Sequence, residues 1–177
     1  IGIVDVKDLI PDEDIEKIKD QMYSQGANVK AIYNSEKYNN LDIYQVNTTY
    51  YSALGNNDKA YLLARAIQFF APGIPQVYYV GMLAGANDIE LLEKTKNGRD
   101  INRHYYSVEE VEENQKREVV QGLKKLMILR NTDPAFSLEG NIEIETEGDS
   151  LVITRSYLDN KIILKANLTT YDFEIIH

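Results

Sequence analysis

Cysteine and tryptophan are absent from this chain of 177 residues, and basic residues are few. Without cysteine there can be no disulfide framework and no thiolate metal site, and a chain without thiols favours a cytoplasmic location. The 19 lysines and arginines are outnumbered by 28 acidic residues, and the net charge of −9 argues against partners such as nucleic acid or an acidic membrane surface. No apolar run approaches the roughly 20 residues that a membrane helix needs.

Tyrosine is plentiful, with 13 residues that include the pairs Tyr50-Tyr51, Tyr78-Tyr79 and Tyr105-Tyr106. A tyrosine ring offers a flat apolar face and a hydroxyl group, which suits a carbohydrate ligand but suits the edge of a hydrophobic core equally well. The length allows one or two domains with a real core. Because the first residue is Ile1 rather than methionine, we expect the sequence to be a piece of a longer protein.

Three segments have the apolar spacing of amphipathic helices. The first opens on Pro11-Asp12-Glu13-Asp14, whose acids suit the positive end of a helix, and it ends at Gly26. The second runs from Asn57 to Phe70. The third opens on the capping box Ser107-Val108-Glu109-Glu110 and its continuation ends near residue 133.

The sequence period changes after residue 134. Alternating apolar residues at 141–146, 151–157 and 161–168 are separated by turns, and a fourth short run begins at Phe173. This part of the chain therefore predicts an antiparallel β meander.

The most informative stretch lies between residues 71 and 106. A short apolar run bounded by Pro-Gly and by Gly81 predicts a strand at 75–80 that is buried on both faces. A long polar loop follows, at the end of the strand where parallel α/β folds place their sites. No other run in the first 130 residues is long enough to pair with this strand, so its neighbours must come from elsewhere. A small α+β domain in which Ile3-Val4 pairs with it is the alternative.

Two motifs carry a family resemblance, and they are Asn97-Gly98-Arg99-Asp100-Ile101-Asn102-Arg103-His104-Tyr105-Tyr106 and Asn40-Leu41-Asp42-Ile43-Tyr44-Gln45-Val46-Asn47. From residue 1 to about residue 136 the chain closely resembles the sucrose phosphorylase family, of the α-amylase-type glycoside hydrolase superfamily. The resemblance implies an α/β fold, the C-terminal fragment of a (β/α)8 barrel. Residues 75–80 would be its last strand.

The same resemblance implies a division of the chain into three parts. Residues 1–55 would be the region inserted after the seventh barrel strand, with a mobile loop at the acceptor site. Residues 56–133 would be the last β/α part of the barrel, with the helices that flank its last strand. Residues 134–177 would be the start of a truncated C-terminal antiparallel β domain.

The resemblance places the catalytic carboxylates outside this chain. Retaining glycosidases and their phosphorylase relatives work with two carboxylates about 5 Å apart, one a nucleophile and one an acid/base. In the family a third, an Asp in a His-Asp pair followed by Gly, would lie just before Ile1. The acids from Asp5 to Asp14 match no such motif and are interpreted as solvated or helix-capping residues. We therefore expect no catalytic residue, no metal and no cofactor in this chain.

Four residues match substrate-binding positions of the family. Arg99 corresponds to the arginine that hydrogen-bonds the glucosyl ring, a role that suits the planar guanidinium. Asp42 would face the fructosyl hydroxyls, and Tyr44 would face phosphate when the loop rearranges. Gln45 can donate and accept hydrogen bonds to sugar hydroxyls. The alternative for the loop is an ordinary alternating strand.

The residues beside Arg99 are interpreted as structural. A network of Arg99 or Arg103 with Asp100 would hold the loop, and we assign that role to Arg103 rather than to Arg99. His104 is interpreted as a residue that packs the loop, because carboxylates do the acid/base work in the family.

The function that the resemblance implies is sucrose phosphorylase, with sucrose, phosphate, glucose 1-phosphate and fructose as partners. Because the catalytic carboxylates are missing, this chain alone is expected to be inactive. Two alternatives stand beside it: a sugar-binding or self-associating module without catalysis, and a transglucosylating or hydrolytic relative.

Overall fold

The computed structural model describes residues 8–27 and 46–177, and the chain forms two compact units. The first unit contains Ile1–Asn57 and Tyr79–Val111, and the second contains Asp58–Tyr78 and Glu112–His177. Among the described residues no helix is both long and apolar enough to cross a membrane.

Helices come first along the chain and strands last, and their bounds are α1 (Asp12–Ser24), α2 (Tyr50–Ala53), α3 (Asp58–Phe70), α4 (Tyr79–Met82), α5 (Ile89–Thr95), a 3-10 turn (Gly98–Asn102), α6 (Val108–Asn114), α7 (Glu118–Thr132), a second 3-10 turn (Pro134–Phe136), β1 (Asn141–Glu147), β2 (Ser150–Tyr157), β3 (Asn160–Asn167) and β4 (Phe173–Ile176). The helices predicted from the spacing of apolar residues are confirmed, although the third is divided into α6 and α7.

Local sequence signals begin and end the helices as predicted. Asp12, Glu13 and Asp14 occupy the first turn of α1, and Gly26 follows the helix with a φ of 81°. The capping box at the start of α6 is formed in both directions. The Ser107 N–H donates to Oε2 of Glu110 at 2.7 Å, and the Glu110 N–H donates to Oγ of Ser107 at 3.2 Å.

In the second unit, α3 and α7 pack against each other. A Cβ atom built at Gly122 of α7 would lie 3.0 Å from Cδ1 of Leu62 in α3, so a glycine here lets the two helices approach closely. Phe70, at the end of α3, meets the ring of Phe136 edge to face at a centroid distance of 4.9 Å.

The four strands form one antiparallel sheet in the order β1-β2-β3-β4, so the predicted meander is confirmed. In the register of β2 and β3, Leu151 lies opposite Ala166 and Ile153 lies opposite Leu164. All four side chains are buried, and α3 contacts both strands. The core of the second unit therefore lies between one face of the sheet and α3.

The prediction of a buried strand at 75–80 is wrong for this chain. Residues 74–78 belong to neither a helix nor a strand, and α4 begins at Tyr79. Ile74 is 78% exposed and Tyr78 is 54% exposed. A strand needs a neighbour to complete its hydrogen bonds, and within the described residues the paired strands are β1 to β4 alone.

The long polar loop is also more ordered than predicted, because it contains α5 and the first 3-10 turn. Asp88 caps α5 by accepting a hydrogen bond from the Leu91 N–H at 2.8 Å. The buried side chains of Leu92 and Ile101 anchor the helix and the turn.

Leu164→Ala tests the sheet core. Leu164 is fully buried, so we expect the substitution to lower the free energy of unfolding by about 2–5 kcal/mol. Lys161→Ala changes an exposed residue of the same strand and should stay within about 0.5 kcal/mol of the parent. Urea denaturation followed by circular dichroism measures both, and equal losses in the two variants would contradict this account of the core.

Candidate functional site

Arg99 lies on the 3-10 turn of the first unit, and the turn is fixed by its own side chains. Oδ1 of Asn97 accepts a hydrogen bond from the Arg99 N–H at 3.3 Å. Nδ2 of Asn97 donates to Oδ1 of Asp100 at 3.3 Å. The Asp88 N–H donates to the carbonyl of Ile101 at 2.8 Å, which ties the turn to the start of α5.

The side chain of Arg99 is exposed, and within residues 8–27 and 46–177 its guanidinium forms no hydrogen bond or ion pair. Its neighbour Arg103 lies 3.8 Å from the Asp100 carboxylate. The assignment of the structural contact to Arg103 and Asp100 is therefore confirmed. A guanidinium that is held on a fixed turn, with its donors directed to solvent, can bind a sugar diol or a carboxylate.

Asn87 joins three segments of the first unit. Its Oδ1 accepts from the Thr49 N–H at 2.7 Å and from Oγ1 of Thr48 at 3.1 Å. Its Nδ2 donates to the carbonyl of Gly26 at 3.0 Å, and its backbone N–H donates to Oγ of Ser52 at 2.9 Å. One amide side chain thus connects the end of α1, the segment before α2 and the start of the loop that carries Arg99.

His104 closes that loop from its other end. Its Nδ1 lies 2.6 Å from Oδ2 of Asp88, and its Nε2 lies 3.2 Å from Oε1 of Glu110. The ring also meets that of Tyr106 at a centroid distance of 4.5 Å. These contacts confirm the packing role predicted for His104.

The contacts of His104 shift the ionisation of three groups. Burial works to lower the pKa of His104, but the hydrogen bonds with Asp88 and Glu110 outweigh it and raise this pKa. Burial works to raise the pKa of Asp88, but hydrogen bonds from the Leu91 N–H and from His104 outweigh it and lower this pKa. The hydrogen bond from the Ser107 N–H, followed by that from His104, lowers the pKa of Glu110.

Three of the four predicted binding residues, Asp42, Tyr44 and Gln45, lie outside the described residues. The chain immediately after them is described: Val46 is 2% exposed, and Thr48 and Thr49 bond to Asn87. The structure thus gives the surroundings of Arg99, and all four binding assignments stay predictions.

Sequence reasoning missed Asn87 and Asp88. A signal for Asp88 was present, because an Asp followed by apolar residues at the third and fourth positions after it, here Leu91 and Leu92, is typical of a capped helix start. Asn87 had no such signal. Its side-chain partners lie 38, 39 and 61 residues away in the sequence.

Comparison with known proteins supports the resemblance seen in the sequence. No protein-family model matches the chain. The chain is 56% identical over 173 residues to sucrose phosphorylase of Streptococcus mutans serotype c, which covers 97% of this chain and 36% of that protein. It is 48% identical over 161 residues to sucrose phosphorylase of Bifidobacterium adolescentis, with 86% of this chain and 32% of that protein covered.

A solved structure is similar as well. The crystal structure of sucrose 6F-phosphate phosphorylase from Thermoanaerobacter thermosaccharolyticum matches 96% of this chain and 35% of that chain, at 45% identity and a TM-score of 0.86. The chain spans about a third of the length of the relatives it matches. These matches place it among the glucosyl phosphorylases. Within that class the chain is related to the sucrose phosphorylases, of the α-amylase-type superfamily, and it corresponds to their C-terminal portion.

Asn87→Ala tests how much the first unit depends on this amide. The substitution removes three side-chain hydrogen bonds and leaves the buried Thr49 N–H without its acceptor. We expect the first unit to lose about 2–4 kcal/mol of stability, measured by amide hydrogen exchange in α2 and α5. Asn131→Ala removes an exposed asparagine of α7 and should leave that exchange unchanged. Equal protection of α2 and α5 in the two variants would show that Asn87 is not the connection.

Proposed function

We propose that the chain is the C-terminal portion of a sucrose phosphorylase, a glycosyltransferase-type enzyme that reversibly converts sucrose and phosphate into α-glucose 1-phosphate and fructose. The exposed guanidinium of Arg99 on its fixed turn is the observation that carries this proposal. Identities of 48–56% to two sucrose phosphorylases, over most of the chain, support it.

The reaction is a double displacement with retention of configuration. A carboxylate nucleophile displaces fructose from the glucosyl carbon and forms a covalent β-glucosyl ester. Phosphate then displaces the carboxylate, and the second inversion restores the α configuration. In the proposal the nucleophile and the acid/base belong to the part of the enzyme that precedes Ile1, and neither a metal nor an organic cofactor takes part.

This chain supplies binding groups for both half-reactions. Arg99 donates hydrogen bonds to the glucosyl hydroxyls. Asp42 and Gln45 contact the fructosyl group in the first half-reaction. Tyr44 faces phosphate in the second, after Asp42 has turned away, because a carboxylate at the acceptor site repels a phosphate dianion.

The proposal includes the barrel that the family resemblance implies. Residues 1–55 form the inserted region, residues 56–133 contain the last β/α part of the barrel, and residues 134–177 begin the C-terminal domain.

A chimera tests the proposed activity. In it, this chain replaces the corresponding third of the Streptococcus mutans enzyme, and release of glucose 1-phosphate from sucrose and phosphate is measured. We expect activity from the chimera and none from the 177-residue chain, which lacks the nucleophile. Arg99→Ala should lower kcat/KM for sucrose about a hundredfold, since hydrogen bonds to a charged group contribute about 1.5–3 kcal/mol each.

Lys94→Ala is the matched control, because it removes an exposed positive charge from α5 in the same unit and should leave kcat/KM within twofold. A folded chimera without phosphorolysis would refute the proposal. Sucrose cleavage that proceeds equally well without phosphate would instead support the hydrolytic or transglucosylating alternative.

A second proposal is that the isolated chain self-associates. Ile74, Pro75 and Val77 line a cleft of about 310 Å³ in the second unit, together with Phe69, Met127 and Phe136. Since Ile74 remains 78% exposed, a second copy of the chain would gain by covering it.

Sedimentation at increasing concentration tests self-association. We expect the mean mass to rise, and Ile74→Glu should return the chain to a monomer because it places a charge at the cleft. Leu158→Glu introduces the same charge at another exposed apolar residue, which is 82% exposed in the turn after β2, and should not change the mass. A monomer at every concentration would exclude this proposal.

A further inference from the structure

His104 lies between the carboxylates that begin two different helices. Asp88 is the N-cap residue of α5 and Glu110 is the capping-box acid of α6. Each carboxylate uses one oxygen to accept a backbone N–H and turns the other to the imidazole, at 2.6 Å for Asp88 and 3.2 Å for Glu110. The ring therefore connects both ends of the segment that carries Arg99 to α6.

The geometry selects the protonated form of the ring. A neutral imidazole has one N–H, so one of its nitrogens would face a carboxylate oxygen as an unprotonated acceptor. The imidazolium donates to both oxygens and is attracted to both charges. Within residues 8–27 and 46–177, two tyrosines also contact His104: the ring of Tyr106 contacts the imidazole, and the Tyr79 hydroxyl donates to the His104 carbonyl at 2.9 Å.

The contact with Asp88 closes the loop from residue 88 to residue 104. Besides binding His104, Asp88 donates its backbone N–H to the carbonyl of Ile101, which lies in the same 3-10 turn as Arg99. Since the Arg99 guanidinium has no described partner of its own, the direction of this side chain depends on the backbone of the turn. That backbone is held at Asp88 and at His104.

We propose that His104 is the positioning residue of the substrate-binding arginine: as an imidazolium between Asp88 and Glu110, it fixes the turn from which Arg99 reaches the glucosyl ring. His104 acts through the backbone and touches no substrate. This inference rests on the proposed function, and it deepens that function by naming what orients Arg99.

Amide hydrogen exchange of the 177-residue chain tests the positioning directly. At pH 6, His104→Gln should lower the protection of the Asp88, Asp100 and Arg103 amides at least tenfold, because glutamine is uncharged and has one donor nitrogen where the imidazolium has two. Glu110→Gln keeps the cap but removes one charge, and should give a smaller loss, about threefold. His177→Gln changes the one other histidine, which lies in the second unit, and should change nothing in the loop.

The amides that lose protection in His104→Gln decide whether the proposal holds. A loss confined to residues 88–104 supports the proposal. Unchanged protection in His104→Gln overturns it. An equal loss at the Ala53 and Leu54 amides of the α2 region also overturns it, since it would mean that His104 stabilises the whole unit rather than the turn.

The pH dependence gives an independent readout. The pKa of His104 is raised in the folded chain, so its stabilising contribution is complete below the ordinary histidine pKa of about 6.5 and is lost as the pH rises through the raised value. Loop protection, corrected for the intrinsic exchange rate, should therefore fall as the pH rises above the ordinary histidine pKa of about 6.5. In His104→Gln it should not change over this range, and an identical fall in the variant would contradict the proposal.

A double-mutant cycle in the chimera connects the turn to the substrate. His104→Gln should lower kcat/KM for sucrose about tenfold when Arg99 is present and less than twofold in the Arg99→Ala background. An undiminished fall in that background would overturn the positioning role. If the chimera is folded but inactive, the proposed function fails, and the exchange measurements alone decide whether His104 positions the turn.

Discussion

The first unit depends on the hydrogen bonds of two consecutive side chains, Asn87 and Asp88. Apart from α1, with 13 residues, its helices are short, and α2 and α4 have four residues each, too few to be stable by propensity alone. Asn87 connects segments that are far apart in the sequence, and Asp88 both caps α5 and binds His104. These directional hydrogen bonds stabilise the first unit in the way that a regular hydrophobic face stabilises a longer helix. The side chain of Arg99 remains on the surface.

The second unit is stabilised in a different way. Its long helices α3 and α7 approach closely at Gly122, and the sheet places paired apolar residues such as Ile153 and Leu164 on one buried face. The outer strand β1 is exposed along most of its length and carries Glu143, Glu145 and Glu147, charges that disfavour pairing with another chain. A unit of this kind tolerates changes on its surface and is sensitive to lost volume in its core.

This difference explains what could be predicted from the sequence. The spacing of apolar residues identifies the long helices and the meander, because the spacing within one segment shows which face of that segment is buried. The capping box at Ser107 and Glu110 is likewise a local signal, since both residues lie within four positions of the sequence. The run at 75–80 shows the limit of such signals: apolar residues indicate that a segment tends to be buried, but a strand also needs a neighbouring strand for its hydrogen bonds.

Asn87 could not be predicted, since an asparagine before a helix has many roles and its hydrogen-bond partners are distant in the sequence. Arg99 was predicted through its motif, while the contacts of His104 with Asp88 and Glu110 depend on three-dimensional proximity.

The chemistry of the acceptor limits what Arg99 can decide. In the proposal Arg99 binds the glucosyl group, which sucrose and sucrose 6F-phosphate have in common, so it cannot discriminate between these two substrates. In the same proposal, discrimination comes from residues that face the fructosyl group, such as Asp42, whose negative charge would affect the two substrates differently. A carboxylate accepts hydrogen bonds from fructosyl hydroxyls but repels a phosphate attached to the same sugar. In the proposal the same repulsion applies to inorganic phosphate as the second substrate, so Asp42 would have to turn away between the half-reactions, while the glucosyl subsite would serve both. The proposed reaction therefore makes two mechanical demands on the chain: a turn that keeps Arg99 in place and an Asp42 that can change its position.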